Sequence, residues 1–187
     1  MKKNLLFNFL PTTAVFFTVS IIWVTFKISN VEIFYLLIGL ILGHLFLDLD
    51  HIFYWFYRKP NTDESRIAKT TLKKRDLKSF FKLVKAARTS HINLIFHHYF
   101  FQISLNLISF FIFISSSNTF ILSFLLSINL HLLADEIRDY IYDPKFLQKW
   151  LFARENKQLS IKSFKKYLII FIILFFIFLY LLVKSKT

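Results

Sequence analysis

Long apolar runs divide this chain, and no other feature limits its possible folds as strongly. The clearest run is YLIIFIILFFIFLYLLV, residues 167–183, which contains no charged residue. A helix that crosses the hydrocarbon core of a bilayer needs about 20 mostly apolar residues. The pattern predicts one all-α domain, a polytopic membrane helical bundle of about five transmembrane helices. The five segments are roughly 9–26, 31–50, 92–114, 119–135 and 167–183.

Composition agrees with burial in a bilayer rather than in a soluble core. Hydrophobic residues make up 56% of the 187 positions, and there are 26 Phe against 2 Gly. Few soluble domains of this size bury so much apolar surface. The fourth segment is short, so a buried or partly re-entrant helix is the alternative there. The absence of cysteine excludes a disulfide framework and a thiolate metal site.

The net charge of +13 is spread unevenly along the chain. Of the 24 basic residues, eleven lie between positions 58 and 88 and eight between 138 and 166, whereas the SSSN turn at 115–118 has none. Cytoplasmic loops of membrane proteins carry an excess of Lys and Arg. We therefore expect a multi-pass protein of the cytoplasmic membrane, with its N-terminus inside and its C-terminus outside.

The basic loop, residues 58–90, contains an amphipathic stretch, LKKRDLKSFFKLVKAAR at 72–88. Phe80, Phe81 and Val84 fall near one another at helical spacing, with lysines around them. An amphipathic cytoplasmic helix of this kind lies on the inner membrane surface and is attracted to anionic lipid headgroups. The expected partner is therefore the lipid bilayer and not nucleic acid.

Titratable residues interrupt three of the apolar runs at a similar depth. With a rise of about 1.5 Å per residue, the polar positions of the second and fourth segments lie roughly 18 to 30 Å along their helices. Independent placement would scatter them over different depths. The residues are His44, Asp48, Asp50 and His51, then His97 and His98, then His131 and Asp135.

Helical spacing also places most of these residues on shared faces. Positions 44, 48 and 51 form one stripe, and positions 131 and 135 form another, because residues three or four apart are neighbours on a helix. Only one of His97 and His98 can face a common site, and we favour His98, whose face continues to Gln102. Asp50 lies off the stripe. We expect it either to hold a metal ligand in place from behind or to pair with Arg58.

Histidine and carboxylate groups without cysteine favour a divalent metal ion, Zn²⁺ first, with Mn²⁺, Fe²⁺ or Ni²⁺ as alternatives. A cation offsets the cost of carboxylates at membrane depth. It also lowers the pKa of a bound water to about 7, and Asp50 or Asp135 is then the expected catalytic base. The predicted ligands are His44, Asp48, His51, His97, His98, His131 and Asp135.

Two motifs at the ends of membrane segments, DLDH at 48–51 and HLLAD at 131–135, resemble a known family. They are similar to the D-x-D-H and H-x-x-x-D motifs of bacterial membrane-bound proteins described as predicted metal-dependent hydrolases. RTSHINLIFHHYFFQ, residues 88–102, occupies the place of that family's central histidine motif. The family often has a further histidine near the N-terminus, where this chain has LPTTA, residues 10–14. The resemblance implies a metal-dependent hydrolase.

Three functions stay open from the sequence. The first is a membrane-embedded hydrolase with a cytoplasm-facing site, acting on a lipid or phosphoester. The second is a metal or haem carrier, and the third is a structural or interaction protein with a degenerate site.

Remaining polar and aromatic residues have plainer explanations. We expect Glu136, Asp139 and Asp143 to be solvated or paired with Arg138, and Trp23, Trp55 and Trp150 to be interface anchors.

Overall fold

The structure, a computed structural model, describes residues 6–87, 94–153 and 160–187. Within these ranges the chain is helical and has no β-strand. A π-helical turn, Tyr54–Arg58, extends the second helix. The helices are α1 (Leu6–Thr25), α2 (Asn30–Phe53), α3 (Asp63–Lys73), α4 (Leu77–Ala87), α5 (Tyr99–Ser115), α6 (Thr119–Tyr142), α7 (Pro144–Leu151) and α8 (Ile161–Lys184).

Three helical segments are long and apolar enough to cross a membrane, judged by length and composition. They are Asn30–Arg58, Thr119–Tyr142 and Ser163–Lys184. Two further apolar helices, Phe9–Thr25 and Tyr99–Ser115, are shorter. The helical class and the presence of membrane-spanning segments thus agree with the sequence-based prediction.

α6 is the central helix, and α1, α2, α5 and α8 all pack against it. Its first residue, Thr119, donates a hydrogen bond to Glu32 at the start of α2, and Lys186 after α8 donates to the same carboxylate at 2.9 Å. At the opposite end, Thr12 near the start of α1 contacts His44. α2 and α6 therefore run in one direction, and α1 and α8 run in the other.

The closest helix pair is α2 with α6, and small residues make it possible. Gly39 and Gly43 are the two glycines of the chain, and both face α6. A Cβ atom at Gly39 would overlap the Ser123 hydroxyl, and one at Gly43 would overlap the Phe124 carbonyl oxygen. Ser127 donates a hydrogen bond from its hydroxyl to the Leu40 carbonyl at 2.6 Å. This is the small-xxx-small packing of membrane helices.

The basic loop folds into two helices with side-chain caps. The Thr62 hydroxyl accepts a hydrogen bond from the Ser65 amide at 3.3 Å at the start of α3. The Asp76 carboxylate accepts one from the Ser79 amide at 3.0 Å at the start of α4. Hydrogen bonds from the side chain and the amide of Ser79 lower the pKa of Asp76. These caps satisfy amides that a helix leaves without partners at its first turn.

α4 turns part of its apolar face toward the protein. Phe80 and Val84 are buried in a small core with Trp55 and Ala68, while Phe81 is exposed. Phe80 and Val84 thus face the protein, whereas Phe81, about 100° from Phe80 around the helix, lies at the surface.

Two helix boundaries differ from the predicted ones. The third predicted segment, 92–114, corresponds to α5, which begins only at Tyr99; residues 94–98 are not helical, and 88–93 lie outside the described residues. The fourth, 119–135, continues to Tyr142 and is therefore not short, and it is largely buried, in agreement with the alternative of a buried helix. Its charged C-terminal part stays helical because Arg138 pairs with Asp135 and Asp139 along the helix.

The expected aromatic anchors are not at the surface of the bundle. Trp23, Trp55 and Trp150 are all buried, with at most 5% of their surface exposed. The Trp150 indole donates a hydrogen bond to Asp139 at 3.0 Å. The prediction is wrong because large aromatic rings serve equally well as core filling, which composition alone does not distinguish from an interface role.

Candidate functional site

Histidines from three separate segments meet at one end of the bundle. The rings of His44 on α2 and His131 on α6 stack with centroids 4.3 Å apart. The His97 ring, from the segment before α5, lies 6.5 Å from His131 and 6.1 Å from His51. All four are buried. We call His44, His51, His97 and His131, with Asp50 and Asp135, the polar cluster.

Asp50 holds the segment before α5 in place. Its carboxylate accepts hydrogen bonds from the Ile95 amide at 2.9 Å, the Phe96 amide at 2.5 Å and the His97 ring Nδ1 at 3.2 Å. Only 1% of Asp50 is exposed. A buried carboxylate with three donors is well compensated. Asp50 therefore lies behind His97 and orients that ring.

Asp135 lies between two imidazoles. Its Oδ2 atom is 3.6 Å from Nε2 of His131 and 3.9 Å from Nε2 of His97. The Nδ1 atom of His131 donates a hydrogen bond to the His44 carbonyl at 2.8 Å. Since Nδ1 is the donor in both rings, the neutral form of each carries its lone pair on Nε2, the ring nitrogen that lies near Asp135.

Thr12 and Phe9 of α1 complete the surroundings of His44. The Thr12 hydroxyl is 3.1 Å from Nδ1 of His44, and the Phe9 ring centroid is 4.1 Å from that of the imidazole. Thr12 belongs to the LPTTA stretch, where the resembling family often has a histidine. The hydroxyl thus supplies the polar contact at this place.

Two predicted site residues, His98 and Asp48, do not take part in the contacts given above for the polar cluster. His98 caps α5, accepting a hydrogen bond from the Phe100 amide at 3.3 Å, and its ring contacts Tyr99. It is His97 that contacts Asp50 and Asp135, and the helical phase used to favour His98 does not apply before Tyr99. Asp48 is only half-buried, beside the buried stripe of α2.

A cavity of about 540 Å³ opens beside the polar cluster. His44, His131, Asp135 and Arg138 lie along it, as does Thr12. Arg138 forms an ion pair with Asp135 through Oδ1 and a second, at 3.7 Å, with Asp139. The rest of the lining is apolar and comes from α1, α6 and α8: Pro11, Leu130, Leu133, Ala134, Ile137, Ile141, Tyr142, Phe175 and Phe176.

A second buried network joins α5, α6 and α8. Gln102 donates to the Glu136 carboxylate at 3.0 Å, and the Tyr167 hydroxyl donates to the Gln102 side-chain oxygen. Glu136 is fully buried, so the expectation of a solvated or Arg138-paired residue is wrong for it. It lies one residue beyond Asp135, on another face of α6, which the sequence pattern did not resolve. The prediction is confirmed for Asp139, which pairs with Arg138, and for Asp143, which is exposed and caps α7.

The donor types of the polar cluster suit a metal ion, but their spacing does not form a ready site. Among residues 6–87, 94–153 and 160–187, no group of three or more His, Asp or Glu side chains is arranged to hold one. In favour, the two Nε2 atoms nearest Asp135 belong to rings whose Nδ1 atoms donate to a carboxylate and a carbonyl, as in metal-ligating histidines. Against, Arg138 already engages the Asp135 carboxylate.

Sequence reasoning missed Thr12, Arg138 and the small-residue contact of α2 with α6. The last had a usable signal, because G-x-x-x-G within an apolar segment favours close helix packing. Arg138 had a weaker one, three residues from Asp135 on a helix. Thr12 had none, since hydroxyl residues are common in apolar helices.

Comparison of the chain with protein-family models, with curated proteins and with solved structures finds no match.

Proposed function

We propose that this chain is an integral membrane hydrolase that uses a divalent metal ion, Zn²⁺ first, held by His97, His131 and Asp135. The observation that carries the proposal is that the Nε2 atoms of two imidazoles lie 3.9 and 3.6 Å from one carboxylate oxygen of Asp135. Each ring is fixed from behind through Nδ1. The reaction class is hydrolysis of an ester or phosphoester.

The chain's own groups divide the work of such a site. Asp50 positions His97, and the His44 carbonyl positions His131. When bound, the ion supplies a water of lowered pKa and a Lewis acid for the substrate oxygen. Arg138 can bind the phosphate or carboxylate of a substrate once its ion pairs with Asp135 and Asp139 open, since guanidinium groups bind these anions through two parallel hydrogen bonds. Metal binding must displace Arg138 from Asp135 or share that carboxylate with it.

The second candidate is a structural membrane protein in which the polar cluster only joins α2, α6 and the segment before α5. The Arg138–Asp135 ion pair favours it, because this pair already compensates the buried carboxylate. The two candidates differ in one measurable property, which is retention of a metal ion.

Metal affinity distinguishes them. We expect His97→Asn and His131→Asn each to lower the affinity of detergent-purified protein for Zn²⁺ by more than about tenfold. Removal of a group that only orients a metal ligand usually lowers metal affinity at least tenfold, so removal of a ligand should lower it more. Titration with Zn²⁺ and elemental analysis measure it. His98→Asn is the matched control, since Asn also caps helices and this residue lies outside the polar cluster. Equal Zn²⁺ affinity in all three variants and the wild type would leave the structural candidate.

The finer topology is also part of the proposal. α1 and α5 cross the membrane together with the three longer helices, so the chain crosses five times. The N-terminus, the basic loop and the polar cluster face the cytoplasm, and the C-terminus lies outside. The distribution of Lys and Arg supports this orientation. It also brings the exposed basic residues of α3 and α4 to anionic headgroups.

Single cysteines test this topology cleanly, because the natural chain has none. Lys74 and Ser117 are both exposed, between α3 and α4 and between α5 and α6 respectively. A membrane-impermeant maleimide added to intact cells should label Ser117→Cys and should label Lys74→Cys only after permeabilisation. Labelling of both in intact cells would contradict the five-crossing arrangement, and the reversed pattern would invert it.

A further inference from the structure

Glu136 is a buried carboxylate that the polar cluster does not use. None of its surface is exposed. Arg138, two residues further along α6, pairs with Asp135 and Asp139 instead. Within the part of the chain that the structure describes, Glu136 forms no ion pair with a basic side chain. An uncompensated charge inside a membrane bundle is costly, so a bound positive species is the expected partner of this carboxylate.

The hydrogen bonds of Glu136 reach only one of its two carboxylate oxygens. Gln102 donates to Oε2 at 3.0 Å, and the Tyr167 hydroxyl in turn donates to the side-chain oxygen of Gln102. Oε1 is buried and accepts no hydrogen bond from any described residue. Both hydrogen bonds run toward Glu136, which suits an ionised carboxylate because such a group only accepts. A negative charge with one unused oxygen therefore lies between α5, α6 and α8.

Asn106 brings a second oxygen toward Glu136. Gln102 bonds to Glu136 and, seven residues away on each helix, Asn129 donates to Ser109 at 2.9 Å. α5 and α6 are therefore antiparallel. Side chains tilt toward the N-terminus of their own helix, so Asn106, one turn beyond Gln102, and Glu136 lean toward each other. The Asn106 amide group donates to the backbone carbonyl of Gln102 at 2.9 Å, and its side-chain oxygen accepts no hydrogen bond within the described ranges.

We propose that Glu136 and Asn106 bind one monovalent alkali cation, Na⁺ or K⁺, between α5 and α6. One carboxylate balances one positive charge, whereas a divalent ion would leave a positive charge buried. Ligands that are all oxygen suit a hard cation. Gln102 holds the carboxylate through its other oxygen, and Tyr167 fixes the orientation of the Gln102 amide. This site adds to the proposed hydrolase and does not depend on it.

Ion-dependent stability tests the proposal. Detergent-purified wild-type protein should unfold at a higher temperature in NaCl or KCl than in choline chloride of equal ionic strength, because choline is too bulky for a buried site. The rise should saturate, since the ion binds the folded chain only. Glu136→Gln removes the charge at almost constant size and should abolish the rise. Glu64→Gln, the same change on an exposed residue of α3, should keep it. No saturable rise in the wild type, or an equal rise in Glu136→Gln, would overturn the proposal.

Asn106→Leu tests the second ligand. It replaces the amide by an apolar group of similar size and should lower the affinity for the alkali cation at least about tenfold, as loss of a ligand does. Asn61→Leu is the control, because Asn61 is exposed in the turn before α3. Equal affinity in Asn106→Leu and the wild type would contradict the two-ligand site.

A second measurement does not depend on the folding of a variant. Equilibrium dialysis of wild-type protein against radioactive sodium ion, with K⁺ as competitor, should show one alkali cation bound per chain and tells which of the two is preferred. Absence of bound Na⁺ and of bound K⁺ would overturn the proposal. So would an infrared band of a protonated carboxyl group that is lost in Glu136→Gln and persists in saturating NaCl and KCl, since a proton would then balance the charge.

The alkali site and the polar cluster fail separately. His97→Asn should keep the stabilisation by Na⁺ or K⁺, because His97 lies before α5 and contacts Asp50 and Asp135 instead of Glu136. Loss of that stabilisation in His97→Asn would place the ion in the polar cluster and overturn the alkali site. Stabilisation by Na⁺ or K⁺ in a protein that retains no Zn²⁺ would support the alkali site and overturn the hydrolase alone.

Discussion

Gly43→Ala should destabilise the bundle more than any other addition of a single methyl group to α2. The added Cβ would overlap the Phe124 carbonyl oxygen and lie 2.8 Å from Cβ of Ser127. Alanine gains up to about 1 kcal/mol of helix propensity over glycine. Overpacking a tight contact costs about 1 to 3 kcal/mol, and here the obstacle includes backbone, which cannot rotate away. We therefore expect a net loss of about 1 to 2 kcal/mol in the free energy of unfolding.

Unfolding in a detergent titration, followed by circular dichroism, measures this loss. Leu42→Phe is the control, because it adds a larger group to the exposed neighbour of Gly43 on the same helix. Gly39→Ala should be partly rescued by Ser123→Ala, which removes the hydroxyl that the new Cβ overlaps but leaves the Phe120 carbonyl oxygen at 2.7 Å. A Gly43→Ala protein as stable as the wild type would show that α2 and α6 do not pack this closely.

The sequence predicts the bundle well where a physical signal is long and regular. The apolar runs locate all five long helices, since membrane length and helical period impose a pattern over many residues. The depth argument likewise predicts a layer shared by His44 and His131, whereas His97 reaches it from a segment that is not helical. What it requires is only the rise per residue, which every helix shares.

Prediction fails where two adjacent residues contact different partners, because a shift of one position in the helical phase then exchanges their roles. His97 and His98 exchange roles because residues 94–98 are not helical, and nothing in HHYFFQ marks Tyr99 as the first helical residue. Asp135 and Glu136 are adjacent, yet the first belongs to the polar cluster and the second to the network with Gln102. Such partners come from tertiary contacts, which helical periodicity within one segment does not contain.

Asp50→Asn should release the segment before α5 while leaving the helices intact. The carboxylate accepts from the amides of Ile95 and Phe96 and from the His97 ring, all from residues distant in sequence. An asparagine offers one acceptor oxygen, and the N–H groups of its side-chain amide would face the N–H donors of the segment before α5. Each buried donor left without a partner costs about 1 to 3 kcal/mol. We expect this loss to loosen the segment, although Phe96 still packs on Phe46 and His97 on Trp150.

Hydrogen exchange by mass spectrometry measures the release. Peptides covering 94–98 should exchange at least about tenfold faster in Asp50→Asn, while those from α2 and α6 should keep the wild-type rate. Asp63→Asn is the matched control, because 94% of that side chain is exposed. If Asp50 acts through His97, Zn²⁺ affinity should fall by about 10- to 100-fold in Asp50→Asn. The double variant Asp50→Asn/His97→Asn should then lose no more Zn²⁺ affinity than His97→Asn does alone. Unchanged exchange at 94–98 would mean that the carboxylate does not hold this segment, and its assignment as the positioning group for His97 would fall.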